Sequence, residues 1–156
     1  MSTLTKTLYD TDFHEWAVHT AELLRERRFA EVDLESLVEE VEALANANKK
    51  AVWSQLRRLV MHLLKAKIQP QRFGRSWATS VVDAQAKLKY DFKVSPSLRR
   101  YAKGELEEIY ETAINDAIRE TMLTTRAKDL PLPQHCPYTL EDLLDSDLDA
   151  LLNRLS

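Results

Sequence analysis

Four histidines, a single cysteine and a run of glutamates are the side chains that offer chemistry, and their spacing decides how far each can go. Glu39, Glu40 and Glu42 sit on one predicted helix and His62 on the next. Carboxylates and imidazoles converging between the helices of a bundle are how such folds hold metals and activate water. At helical spacing Glu39 points away from the apolar stripe, Glu40 and Glu42 fall on its two flanks, and His62 lies off its own apolar face. These groups converge only if the helices have a second buried side. A metal-assisted hydrolase using Glu40 and His62 is one reading; solvated helix faces or buried structural hydrogen bonds are the other. His14 and His19 fall about 140° apart on an ideal helix, which keeps them from sharing one metal. Cys136, between His135 and Pro137, reads as packed rather than nucleophilic. The sequence holds no glycine-rich phosphate loop, nucleophile elbow, HExxH or paired-cysteine motif. No catalytic residue, cofactor or metal is expected.

Charge is the sharper signal. Residues 49–103 carry fourteen Lys or Arg against two acids, net +12, while residues 1–48 are net −7 and residues 104–156 net −8. The overall net charge of −3 hides this partition. In one reading the basic helices lie beside acidic ones as exposed ion pairs worth at most ~1 kcal/mol each. In another, Arg57, Arg58, Lys65, Lys67, Arg72 and Arg75 form a patch for phosphates, with Phe73 or Trp77 able to stack a base. In a third, the basic region of one copy meets an acidic helix of another.

The elements that must position these residues are helical. Two glycines in 156 residues are too few for the tight turns of a many-stranded sheet. Asp12 with Glu15 starts one helix, carrying Phe13, Trp16, Ala17, Ala21 and Leu24 and ending near Arg28. Asp33 caps the next, with an apolar stripe of Leu34, Leu37, Val38, Val41, Leu44 and Ala45. A break is predicted at Asn46 to Asn48. A central helix follows to Ile68, bearing Leu56, Leu59 and Leu63. The chain turns at Pro70 and Gly74, and Ser76 caps a helix through Trp77, Leu88 and Phe92. Ser95 with Pro96 begins another, which Gly104 interrupts or ends; the helix after it runs through Ile109, Ala113 and Ile114 to about Thr125. Pro131, Pro133 and Pro137 exclude helix there, and Thr139 caps a short last one.

The fold class is therefore all-α: a single-domain helical bundle of about six helices over residues 1–156, ending in an acidic tail or helix at 146–156. Its predicted core is Phe13, Trp16, Leu37, Val41, Leu56, Leu59, Leu63, Trp77, Leu88, Ile109, Ala113 and Ile114. The lone cysteine excludes an internal disulfide and points to a reducing, cytoplasmic compartment. No apolar run reaches the ~20 residues that cross a bilayer, so no membrane partner is expected.

Several pieces recur together along the chain: Tyr9-Asp10-Thr11-Asp12-Phe13 with Trp16, Glu39-Glu40-Val41-Glu42, His62-Leu63-Leu64-Lys65 with Pro70, Arg75-Ser76-Trp77, Pro96-Ser97-Leu98 and Cys136-Pro137-Tyr138-Thr139. In order and spacing they resemble the domain-of-unknown-function family 29 of bacteria, from about Leu8 to Asp145. The resemblance implies a helical, bacterial, cytoplasmic domain and supplies no catalytic residues. The functional expectation is a non-enzymatic interaction or regulatory module. It is expected to bind itself or another protein, with nucleic-acid binding through residues 57–75 as the alternative. Candidate interaction residues are Arg57, Arg58, His62, Lys65, Arg72, Arg75, Trp77, Glu39 and Glu40.

Overall fold

A computed structural model of the chain describes residues 7–121 and 132–156. Among them are seven α-helices and no strand: α1 (Leu8–Thr11), α2 (Phe13–Arg25), α3 (Leu34–Ile68), α4 (Arg75–Val94), α5 (Ser97–Glu120), α6 (Leu140–Asp145) and α7 (Leu148–Asn153). The all-α class read from the sequence is what the chain adopts. Two compact units divide it, Met1–Ala47 and Asn48–Ser156, and α3 contributes to both.

In the first unit the Asp12 carboxylate accepts from the Glu15 amide at 3.0 Å, satisfying an otherwise unpaired donor at the start of α2. The helix closes with Arg27 in the left-handed region at φ 61°. The Arg28 amide donates to the Leu23 carbonyl at 2.9 Å and the Arg27 amide to the Leu24 carbonyl at 3.1 Å. That pair of bonds is the Schellman closure, made here without the glycine that usually occupies it. Asp33 accepts from the Ser36 amide and opens α3. Tyr9, Phe13 and Trp16 form an aromatic group with ring centroids 4.7–5.8 Å apart.

The unit buries Trp16, Thr20, Leu23 and Ser36 and little else. The buried face of α2 is turned from the predicted Phe13–Leu24 stripe toward Thr20 and Leu23. The predicted core residues Phe13 and Val41 are corrected, because both stand in solvent. The face of α3 that is partly or fully buried carries Ser36, Leu37 and Glu40, and the Leu34–Val41 stripe faces outward.

The second unit has a true core. Leu56, Leu59, Leu63 and Leu64 of α3 pack with Val81, Ala84, Leu88 and Phe92 of α4, with Ile109, Tyr110 and Ala113 of α5, and with Leu140, Leu143 and Leu151 from the last two helices. Each leucine fully removed from water contributes roughly 1.5–3 kcal/mol. Of the predicted core here, Leu56, Leu59, Leu63, Leu88, Ile109 and Ala113 are buried, while Ile114 and Trp77 are only partly so.

Buried hydroxyls fasten the non-helical segment onto α5 and α7. Tyr110 donates to the Pro133 carbonyl at 2.6 Å and Tyr138 to the Leu151 carbonyl at 2.7 Å. Thr139 and Asp142 cap α6 reciprocally, as the sequence predicts for Thr139.

Three local expectations are corrected. The helix does not break at Asn46 to Asn48, because asparagine costs only a few tenths of a kcal/mol inside a helix that has neither glycine nor proline there. Gly104 does not break α5 either: its penalty of about 1 kcal/mol is outweighed by burial of Ala102 and Leu106 on either side. Neither Ser76 nor Ser95 caps a helix; α4 opens on an extended Gly74, and Pro96 precedes the first residue of α5. The predicted helix end near Thr125, and Pro131, lie outside the described residues.

Candidate functional site

The basic residues singled out along α3 and α4 are largely spoken for by acids of the same unit. Arg57 donates to Asp116 at 2.6 Å, and Lys65 reaches Glu120 at 2.9 Å. Lys67 donates to the Ser156 hydroxyl at 3.2 Å. Further along, Lys89 pairs with Asp145, and Arg99 and Lys103 share Glu141. The +12 segment thus faces the acidic 104–156 segment within one unit. Arg58, Arg72 and Arg75 remain exposed, and among the described residues no acid pairs with them.

His62, Lys65 and Trp77 do come together. The Lys65 ammonium lies 4.8 Å from the centre of the Trp77 ring, a cation–π contact. His62 and Phe73 approach the same ring at 6.4 and 6.2 Å between centroids. Trp77 is half-buried by these neighbours, so its face is occupied rather than offered to a base. Burial pushes the His62 imidazole below its ordinary pKa, and the positive charges of Lys65 and Arg58 push the same way against Glu120. His62 Nδ1 is buried and has no hydrogen-bond partner among the described residues.

Glu39 and Glu40 part company in the first unit. Glu39 is exposed, as helical spacing predicts. Glu40 turns inward and accepts from the Tyr9 hydroxyl at 2.5 Å, fastening α1 to α3. That bond, with the carboxylate charges nearby, pushes the Tyr9 phenol up to about 12. Among the described residues no three His, Cys, Asp or Glu side chains are grouped as a metal site needs. Cys136 is half-buried, and burial raises its thiol pKa, which keeps it from being a ready nucleophile. An open groove of about 510 Å³ is lined by Lys50, Trp53, Ser54, Tyr101, Glu105 and Glu108, a mixture of charges with no single sign.

Most of the apolar stripe predicted on α3, including the predicted core residue Val41, lies outside the core as an exposed edge. Leu34 (67% exposed), Val38 (47%), Val41 (57%) and Leu44 (68%) stand in solvent. A second apolar row lies on the outer face of α4, at Val82 (56%), Tyr90 (66%) and Val94 (62%). Periodicity signals the α3 row but is silent on whether anything covers it, and it does not signal the α4 row, whose members lie off that helix's regular stripe. The available hint was size: α2 is the one long helix that the sequence places before α3, and a single partner covers only part of a wide stripe.

Among the described residues no helix is long and apolar enough to cross a membrane. Comparison with curated proteins and with solved structures gives no match. Residues 8–148 match the family model described as Domain of unknown function DUF29, nearly the span over which the motifs run, and the chain belongs to that family.

Proposed function

We propose that the chain is a non-enzymatic helical interaction module that associates with further copies of itself, in the cytoplasm of a bacterial cell. The observation that carries this reading is the outward apolar edge of α3, from Leu34 to Leu44. Contiguous apolar surface on a soluble domain is costly in water, and where it persists it marks an interaction surface. The half-buried thiol of Cys136, alone in the chain, suits a reducing compartment. The test is sedimentation velocity from about 1 to 100 µM, the range in which modest affinities of this kind are resolved. Self-association is expected, and the double variant Val38→Glu/Val41→Glu is expected to remain monomeric with its helicity intact. A wild-type chain that stays monomeric across the range refutes the reading.

Exposed Arg58, Arg72 and Arg75 support a second reading, nucleic-acid binding. It is narrower than the six-residue patch, because Arg57, Lys65 and Lys67 already hold partners. Binding to short DNA or RNA that falls steeply with salt, and that is lost in Arg58→Glu/Arg72→Glu, would favour it. No binding at low salt would remove it.

A further inference from the structure

We infer that the acidic apolar edge of α3 in one copy docks on the basic apolar face of α4 in a second copy. This rests on the self-association proposed above and names the two surfaces. On an ideal helix Leu34, Val38 and Val41 lie within about 60° of one another, and Glu35, Glu39 and Glu42 occupy the neighbouring strip. All six are exposed. On α4, Val82, Tyr90 and Val94 step around roughly 120° of the outer face, with Lys89 and Lys93 beside them and Lys87 beyond. These six are exposed as well. Both α4 carboxylates border this face, Asp83 between Tyr90 and Val94 and Asp91 beside Lys87, Tyr90 and Val94. Lys89 has a long contact of 3.6 Å to Asp145, and three lysines against two carboxylates leave the face net positive by one charge.

The occupant follows from charge. Packing α3 on α3 of a second copy would set two glutamate strips against each other, and packing α4 on α4 would do the same with lysines. Packing α3 on α4 covers both apolar rows and places three carboxylates near three ammonium groups. The contact is heterologous, so each copy offers both halves.

The experiment uses two triple variants of the full chain, Glu35→Lys/Glu39→Lys/Glu42→Lys on α3 and Lys87→Glu/Lys89→Glu/Lys93→Glu on α4. Their helical content is checked by circular dichroism and their dissociation constants are read by sedimentation. Each variant alone is expected to self-associate at least about tenfold more weakly, the size of loss that desolvated charge contacts produce. The equimolar mixture is expected to recover wild-type affinity, because every opposed strip is then complementary. Wild-type association should also weaken as salt is added. Association that is unchanged by the α4 reversal, or that tightens with salt, overturns the α3–α4 contact while leaving self-association standing. A wild-type chain that is monomeric throughout overturns both, and salt-sensitive binding of that monomer to DNA or RNA that is lost in the α4 triple variant would identify the α4 face as a nucleic-acid surface instead.

Discussion

Arg57 on α3 donates to the Asp116 carboxylate on α5 at 2.6 Å, and Arg119 grips the same carboxylate from one turn further along. Asp116 is mostly buried and Arg57 about two-thirds so. The basic segment is therefore partly a structural counterpart of the acidic one that follows it. Replacing Asp116 with Ala is expected to cost about 1–2 kcal/mol, since it leaves a half-buried guanidinium without its partner. Urea unfolding checks this. The same substitution also frees Arg57 to meet phosphate, so any weak nucleic-acid affinity should rise rather than fall. A variant as stable as the wild type would show that the pair is a surface contact of no consequence.

His62 gives the stability of the second unit a pH dependence whose sign is fixed by its surroundings. Its pKa is lowered in the folded chain, first by burial and then by Lys65 and Arg58, with Glu120 opposing. The unfolded chain takes up a proton near the ordinary value of 6.5 while the folded one still resists. The stabilising difference is complete above pH 6.5 and is lost as pH falls through the folded pKa. Wild type should therefore lose stability relative to His62→Gln between about pH 7 and 5. Parallel curves for the two proteins would place His62 in a more solvated setting than its buried Nδ1 implies.

These two residues also mark what the sequence can and cannot disclose. Leucines 56, 59 and 63 recur at helical steps, and burial follows from that spacing once a partner helix exists, so the second unit's core was legible. The partner of Arg57 was not, because Asp116 lies 59 positions away and charge patterning is silent on pairing across a bundle. The exposure of the Leu34–Val41 edge is hidden from the sequence for a related reason. Amphipathic spacing identifies an apolar face but cannot tell a face covered within the chain from one left for a partner. Spacing places Glu40 on a flank of that stripe, while its partner Tyr9, 2.5 Å away, lies 31 positions earlier, where spacing carries no information.

Tyr138 is buried, and its hydroxyl supplies the Leu151 carbonyl with a partner at 2.7 Å. Tyr138→Phe keeps the ring and deletes the donor, so the expected cost is about 1–2 kcal/mol at neutral pH, the penalty for a buried carbonyl left unpaired. Burial raises the phenol well above its ordinary 10. The neutral form is the one the fold holds, so its contribution is complete below pH 10 and declines as pH rises past it. The gap between wild type and Tyr138→Phe should narrow in that alkaline range. An equal gap at pH 8 and pH 11 would mean that the hydroxyl contributes nothing to the difference.

Arg27 and Gly104 are each in the other's natural position, and the pair makes a paired prediction. Gly104 lies exposed inside α5, where a methyl group would meet no atom within 4 Å. Its φ is not positive, so alanine fits the backbone it already has. Gly104→Ala should stabilise by about 0.5–1 kcal/mol, chiefly by restricting the unfolded chain. Arg27, by contrast, holds the left-handed conformation at the end of α2 at φ 61°, where a side chain costs roughly 1–2 kcal/mol. Arg27→Gly relieves that strain but loosens the unfolded chain, for a net gain of about 0.5 kcal/mol. Arg27→Ala keeps both the Cβ and the strain and should be nearly neutral. Denaturant midpoints of the three variants decide the matter. A loss of stability in Gly104→Ala would mean that the helix does open at that residue, as its glycine alone suggests. A gain in Arg27→Ala equal to that in Arg27→Gly would trace the effect to the lost charge rather than to the backbone.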